Sequence, residues 1–131
     1  MNAAQAQSTT EPRYLVAIEL HTEEELLQAL QRSEQLLNQG ILRRHSPSPV
    51  QFVLHGPEAR ILLLQNYPRY KATVDLAARL SAFGVVDLKV CETWMGGNGI
   101  NPEELPPFVG TVPYAPAEIK RLMDEQDYIY F

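Results

Sequence analysis

The segment that decides the fold is residues 14–20, which read YLVAIEL. A short apolar run with β-branched members is typical of a strand buried on both faces, as in parallel sheets. Directly after it, Thr22 and Glu25 have the three-residue spacing of a capping box, and leucines then recur at helical spacing. The sequence therefore predicts a strand over 14–20 followed by a helix over 22–38.

The alternation of strand and helix continues along the rest of the chain. Further apolar runs predict strands over 50–54, 85–90, 111–113 and 128–130. Helices are expected over 58–65, from Pro68 to about residue 83, and over 116–126. This alternation predicts an α/β fold, a single-domain open sheet of about five mainly parallel strands with helices on both faces.

The size and composition fit one globular domain. The chain has 131 residues, of which 45% are hydrophobic, enough to build a core. Residues 1–12 are polar and lack periodicity, so they are predicted to form a flexible tail ahead of a domain over 13–131.

The charge balance disfavours two classes of partner. Eleven basic and sixteen acidic residues give a net charge of −5, which disfavours nucleic acid and anionic membranes. No apolar run approaches the ~20 residues of a membrane span. The start of the chain has neither the basic nor the apolar part of a signal peptide, and a lone cysteine suits a reducing compartment. We therefore expect a cytoplasmic protein without nucleic-acid or membrane partners.

Cys91 is the candidate nucleophile. It is the only cysteine, and it ends the third predicted strand at the carboxyl edge of the sheet, where open α/β folds bind ligands. Backbone N–H groups or a nearby cation can favour the reactive thiolate. Lys89 lies on the same side of the strand and could supply a positive charge, whereas the negative charge of Glu92 disfavours the thiolate. The alternative is a small packed core residue, as free cysteines usually are.

A histidine and a glycine follow the second predicted strand at the same edge. His55 is a candidate proton donor or orienting group, and Gly56 is a candidate part of the same ligand site. The alternative role for His55 is a hydrogen bond that ends the strand.

The segment 92–110 is rich in glycine and proline and is predicted to be mostly loop. Within it, Gly96 and Gly97 are candidates for an anion-binding nest, and Trp94 is a candidate pocket wall. The alternatives are a flexible surface loop and a packing anchor. The sequence holds neither a phosphate-binding motif nor metal-ligand spacing, so we expect no cofactor and no metal.

The order and spacing of these pieces resemble the DsrE/DsrF-like family, which includes sulfur-relay subunits of sulfur oxidation and of tRNA thiolation. The resemblance spans about residues 14–131, although Pro116 and Asp127 stand where glycines are common and the segment 94–97 is unusual. The matching pieces are the helix at 26–38, Val53-Leu54-His55-Gly56-Pro57, Phe83-Gly84-Val85, Val90-Cys91, the segment 99–105, Val112-Pro113, Ala117-Glu118-Ile119 and Tyr128-Ile129.

The resemblance implies a DsrE-like fold in which Cys91 accepts a sulfane sulfur as a persulfide and relays it. It also implies a homo-oligomer, a trimer or a hexamer, with sulfur-donor and sulfur-acceptor proteins as partners. We therefore expect a sulfur carrier rather than a turnover enzyme. The alternative is a module on the same fold that binds a small ligand or recruits a partner. The sequence shows no set of catalytic residues for a hydrolase or a nucleotide enzyme, which is the least favoured function.

Overall fold

All five strands belong to one parallel sheet. The computed structural model describes residues 12–18 and 22–131. The strands are β1 (Tyr14–Ile18), β2 (Val50–Leu54), β3 (Val86–Cys91), β4 (Val109–Val112) and β5 (Ile129–Tyr130). They lie in the order β4-β3-β2-β1-β5, and every neighbouring pair is parallel. The predicted α/β fold with a five-stranded parallel sheet is confirmed. The predicted tail, apart from Pro12, and the last two residues of the first predicted strand lie outside the described residues.

Four α-helices flank the sheet: α1 (Glu23–Asn38), α2 (Lys71–Ala82), α3 (Glu92–Gly97) and α4 (Ala115–Glu125). The predicted start of α1 is confirmed in atomic detail. Thr22 Oγ1 accepts the Glu25 N–H and Glu25 Oε1 accepts the Thr22 N–H, each at 3.3 Å. This reciprocal pair satisfies two backbone donors that a helix start leaves free.

The region after β2 differs from its prediction. The expected helix over 58–65 is two 3₁₀ segments, Pro57–Leu62 and Leu64–Asn66, because Leu63 adopts an extended backbone between them. Pro68 does not open a helix. It lies in a turn, and α2 begins only at Lys71.

Two apolar clusters lie on opposite faces of the sheet. The larger one packs beneath α1 and α2, and Phe52, Leu54 and Leu88 at its centre have no solvent exposure. The smaller one, here called the α4-side cluster, lies between the sheet and α4 and comprises Leu15, Val53, Cys91, Val112, Ala115, Leu122 and Tyr128. Within residues 12–18 and 22–131, no helix is both long and apolar enough to cross a bilayer.

Candidate functional site

The site is built where β2 and β3 end side by side. The register pairs Leu54 with Val90, so His55 and Cys91 are the next residues on neighbouring strands. Neighbouring strands lie about 5 Å apart, which places the two backbones close together. The structure therefore brings both predicted residues to one carboxyl edge of the sheet.

The Cys91 sulfur lies against the start of α4. Its Sγ accepts a hydrogen bond of 3.3 Å from the backbone N–H of Ala115, the first residue of that helix. The first N–H groups of a helix lack intrahelical acceptors and carry a partial positive charge, so they stabilise an anion placed against them. The contact therefore places a backbone donor of a helix start on the sulfur.

The sulfur is buried rather than facing an open loop. Cys91 is 4% exposed and packs within the α4-side cluster. The two residues that join β4 to α4, Pro113 and Tyr114, are both exposed.

The predicted glycine-rich loop after β3 is wrong, since residues 92–97 form the helix α3. Met95 anchors it with 2% exposure, and its carbonyl accepts the N–H groups of Asn98 and Ile100 at 3.0 Å. Gly99, at φ +68°, ends the helix. Gly96 and Gly97 are exposed and lie in the last turn of α3 without positive φ, so they do not form the expected nest, which requires alternating backbone conformations.

Trp94 packs rather than walling an open pocket. Its half-buried ring contacts both apolar clusters, and the Arg60 guanidinium lies 5.5 Å above the ring centroid. Arg60 also donates to Asn98 Oδ1 at 3.1 Å, and Asn98 donates to the Trp94 carbonyl at 2.8 Å. These contacts fix α3 against the 3₁₀ segment that follows His55, which is the packing role left open by the sequence.

Lys89 lies on the Cys91 side of β3 but directs its charge elsewhere. Its Nζ is 3.1 Å from Glu118 Oε2 and 3.9 Å from Asp87 Oδ2. Hydrogen bonds from Arg121, and then from Lys89, lower the pKa of the Glu118 carboxyl. The contacts of Lys89 therefore hold α4 on the sheet. The hydrogen bond to the sulfur comes from the start of α4 and not from Lys89.

Glu58 is a buried acid that the sequence analysis missed. It is 1% exposed, and its Oε2 accepts the backbone N–H groups of His55 and Gly56, each at 3.1 Å. Its Oε1 and the Nε2 of His55 are both buried without a hydrogen-bond partner in the described part of the chain. The available signal was a glutamate three residues after the strand-ending histidine, a capping-box spacing that indicated only a helix start.

Burial raises the pKa of Glu58 above its ordinary value, against the lowering effect of its backbone donors. The folded protein thus holds this proton more tightly than the unfolded chain does. The protonated Glu58 carboxyl stabilises the fold fully at pH values below its pKa in the unfolded chain. This stabilisation is lost as pH rises through its pKa in the folded protein. We expect the wild-type free energy of unfolding to fall over this interval and the Glu58→Gln variant to show a flatter profile. Urea unfolding from about pH 4 to about pH 8 measures both.

An exposed acid provides the matched control for this pH profile. A hydrogen bond from Lys71 lowers the pKa of Asp75, so its contribution has the opposite sign and is lost as pH falls. Asp75→Asn should therefore change the profile at the acid end only. If the free energy of unfolding changes with pH equally in the wild type and in Glu58→Gln, Glu58 does not carry the predicted proton.

The fold and the site together define an α/β protein with one parallel five-stranded sheet, a single thiol and a buried carboxyl at its carboxyl edge. Among solved structures, the chain is similar to MTH1491 from Methanobacterium thermoautotrophicum, a protein of unknown function, with a TM-score of 0.72 and 16% sequence identity. The match covers 92% of this chain and 97% of that one, and it shows the fold. No protein-family model matches the sequence, and the search of curated proteins found no significant match.

Proposed function

We propose that this protein is a cytoplasmic sulfur carrier of the DsrE-like kind, which accepts a sulfane sulfur on Cys91 as a persulfide and passes it on. The observation that carries the proposal is the hydrogen bond from the first N–H of α4 to the only sulfur of a cysteine in the chain. A thiolate is the attacking species in sulfur exchange, and a backbone N–H at a helix start is a hydrogen-bond donor suited to a negatively charged sulfur.

The transfer balances without an added oxidant or reductant. The Cys91 thiolate attacks the outer sulfur of a persulfide donor, a new S–S bond forms, and the donor's own S–S bond breaks. The donor leaves as a thiolate, and Cys91 becomes Cys91–S–SH, which keeps the hydrogen of the transferred –SH group. A thiol acceptor then attacks the outer sulfur and restores the Cys91 thiolate.

His55 and Glu58, beside the strand ends, supply the proton handling in this scheme. His55 follows β2 where Cys91 ends β3, and we assign it the protonation of the departing donor thiolate. Glu58 acts through His55, because its carboxyl binds the backbone N–H groups of His55 and Gly56 and fixes the turn that carries the imidazole. Glu58 is thus a positioning residue.

Assembly is the second part of the proposal. Three large apolar side chains are mostly exposed near the start of α4 and on the edge strand β5, namely Tyr114, Ile129 and Tyr130 at 54%, 59% and 61%. Exposed apolar groups and an unpaired strand edge favour association with another chain. We expect light scattering to give a mass above 14.8 kDa, as in a trimer or hexamer. A monomer across a broad concentration range would contradict this part.

Intact-mass spectrometry after exposure to inorganic polysulfide tests the carrier function. A carrier gains about 32 Da for each sulfur atom loaded, and dithiothreitol reverses the gain. The competing function, a module that binds a small ligand or recruits a partner without sulfur transfer, predicts no such adduct on the folded protein. Loading by a donor protein and unloading to an acceptor protein would then identify the partners.

A further inference from the structure

The strand order reverses beside β1. The chain steps from β1 to β4 in one direction, and α4 then returns it to place β5 on the other side of β1. The two helices next to this reversal cover opposite faces, since α1 packs on the larger cluster and α4 on the smaller one. In open parallel sheets such a reversal leaves a crevice near the carboxyl ends of the strands, and small ligands bind there.

An open cleft lies along β1 beside this reversal, and Cys91 is not among the residues that line it. Its volume is about 390 Å³, and Ala17, Gln28, Arg32, Tyr130 and Phe131 line it along β1, α1 and the end of β5. Pockets for small molecules have volumes of about 300–1,000 Å³, so the cleft fits a ligand at the small end of that range. The cleft thus lies beside β1, the strand at which the order reverses.

The basic group of this cleft is Arg32, whose side chain stacks on an aromatic ring. The Arg32 guanidinium lies 4.4 Å above the Phe131 ring, and Phe131 in turn packs against Tyr14 with ring centroids 4.9 Å apart. Across residues 12–18 and 22–131, Arg32 forms no ion pair. A planar guanidinium held on an aromatic face keeps its edge free, and that edge matches the two oxygens of a carboxylate.

The acidic residue of the cleft lies apart from Arg32. Glu25 lies seven residues before Arg32 on α1, about 10 Å away along the helix axis, and its carboxylate accepts the Thr22 N–H of the helix cap. A carboxylate ligand is therefore attracted at the Arg32 end. Between the two ends, Ala17, Ala29 and the Phe131 ring offer apolar surface.

From these observations we infer that the cleft between β1, α1 and the end of β5 binds a small monocarboxylate with an apolar or aromatic body, its carboxylate paired with Arg32. The inference is independent of sulfur transfer, because none of His55, Glu58 and Cys91 lines the cleft. It assigns the molecule a second ligand, held at the reversal of the strand order.

Phenylacetate is the probe, and its uncharged isostere phenylacetamide is the matched ligand. Titration followed by amide NMR should show saturable shifts of Ala17, Gln28 and Phe131 with phenylacetate, and much weaker shifts with phenylacetamide. Arg32→Gln should weaken phenylacetate binding at least about tenfold, since a charge-assisted hydrogen-bonded pair is lost. Equal binding of the two ligands would overturn the inference.

Arg69 provides the matched protein control. Its guanidinium also stacks on an aromatic ring, 5.2 Å from the Tyr70 centroid, outside the cleft. Arg69→Gln and Cys91→Ser should both bind phenylacetate as the wild type does. The inference fails if Arg32→Gln and Arg69→Gln have equal effects, or if the wild type shows no saturable shifts at millimolar phenylacetate.

Discussion

Cys91→Ser is expected to abolish polysulfide loading completely while leaving the protein folded. A hydroxyl cannot hold a sulfane sulfur, so no adduct of about 32 Da should form on the variant. The fold should survive, because serine differs from cysteine by one similar-sized atom and its oxygen can still accept the Ala115 N–H. Intact-mass spectrometry and thermal unfolding, run on both proteins together, measure the two expectations.

Two further measurements distinguish a reactive Cys91 thiol from one that is only packed in the core. His55→Ala should slow loading by about 10²–10⁴-fold without abolishing it, which is the usual contribution of a proton donor. The wild type should load under native conditions. If it loads only in denaturant, Cys91 is a packed core residue, its contact with Ala115 is structural, and the carrier function is wrong.

The second large effect is expected from Phe52→Ala, which should lower the free energy of unfolding by about 3–5 kcal/mol. Phe52 has no solvent exposure and lies in the middle of β2, paired with Val16 on one side and Leu88 on the other. Truncation leaves a cavity at the centre of the larger cluster, which the rigid sheet cannot close. Urea denaturation with a constant m-value measures the loss.

Phe83→Ala is the matched control, since it deletes the same side chain at a position that is 53% exposed, just after α2. Substitutions at exposed positions usually change stability by less than about 0.5 kcal/mol. Because part of the Phe83 side chain is covered, its loss should be slightly larger than that and far smaller than the loss at Phe52. Similar losses in the two variants would mean that Phe52 does not support the core as its burial indicates.

The strand and helix pattern was predictable because the responsible signals are local. The apolar run at β1 and the Thr22 capping box depend only on neighbours in sequence, and both correspond to elements of the structure. Helix α3 was missed because its two glycines favour a loop, whereas burial of Met95 stabilises the helix. That burial depends on distant parts of the chain and leaves no local pattern.

The candidate site was also predictable only in part. The position of Cys91 at a strand end followed from the β3 pattern. The contact with Ala115 joins residues 24 apart, and the Lys89 ion pair with Glu118 joins residues 29 apart. Both contacts depend on where the crossover between β4 and β5 sets α4 on the sheet. Sequence spacing therefore indicated which residues share an edge, but not which residues they contact.

The pairing of β5 with β1 also sets the order in which the protein can assemble during synthesis. This pairing matches Tyr14 with Ile129, and Arg13 donates to the Gln126 carbonyl across a separation of 113 residues at 2.8 Å. Closing so long a loop carries a high entropic cost before any contact compensates for it. On the ribosome, β1 to β4 can pair while the edge of β1 stays open, and the α4-side cluster lacks Tyr128. The thiol therefore acquires its helix cover only after α4, up to Glu125, has emerged.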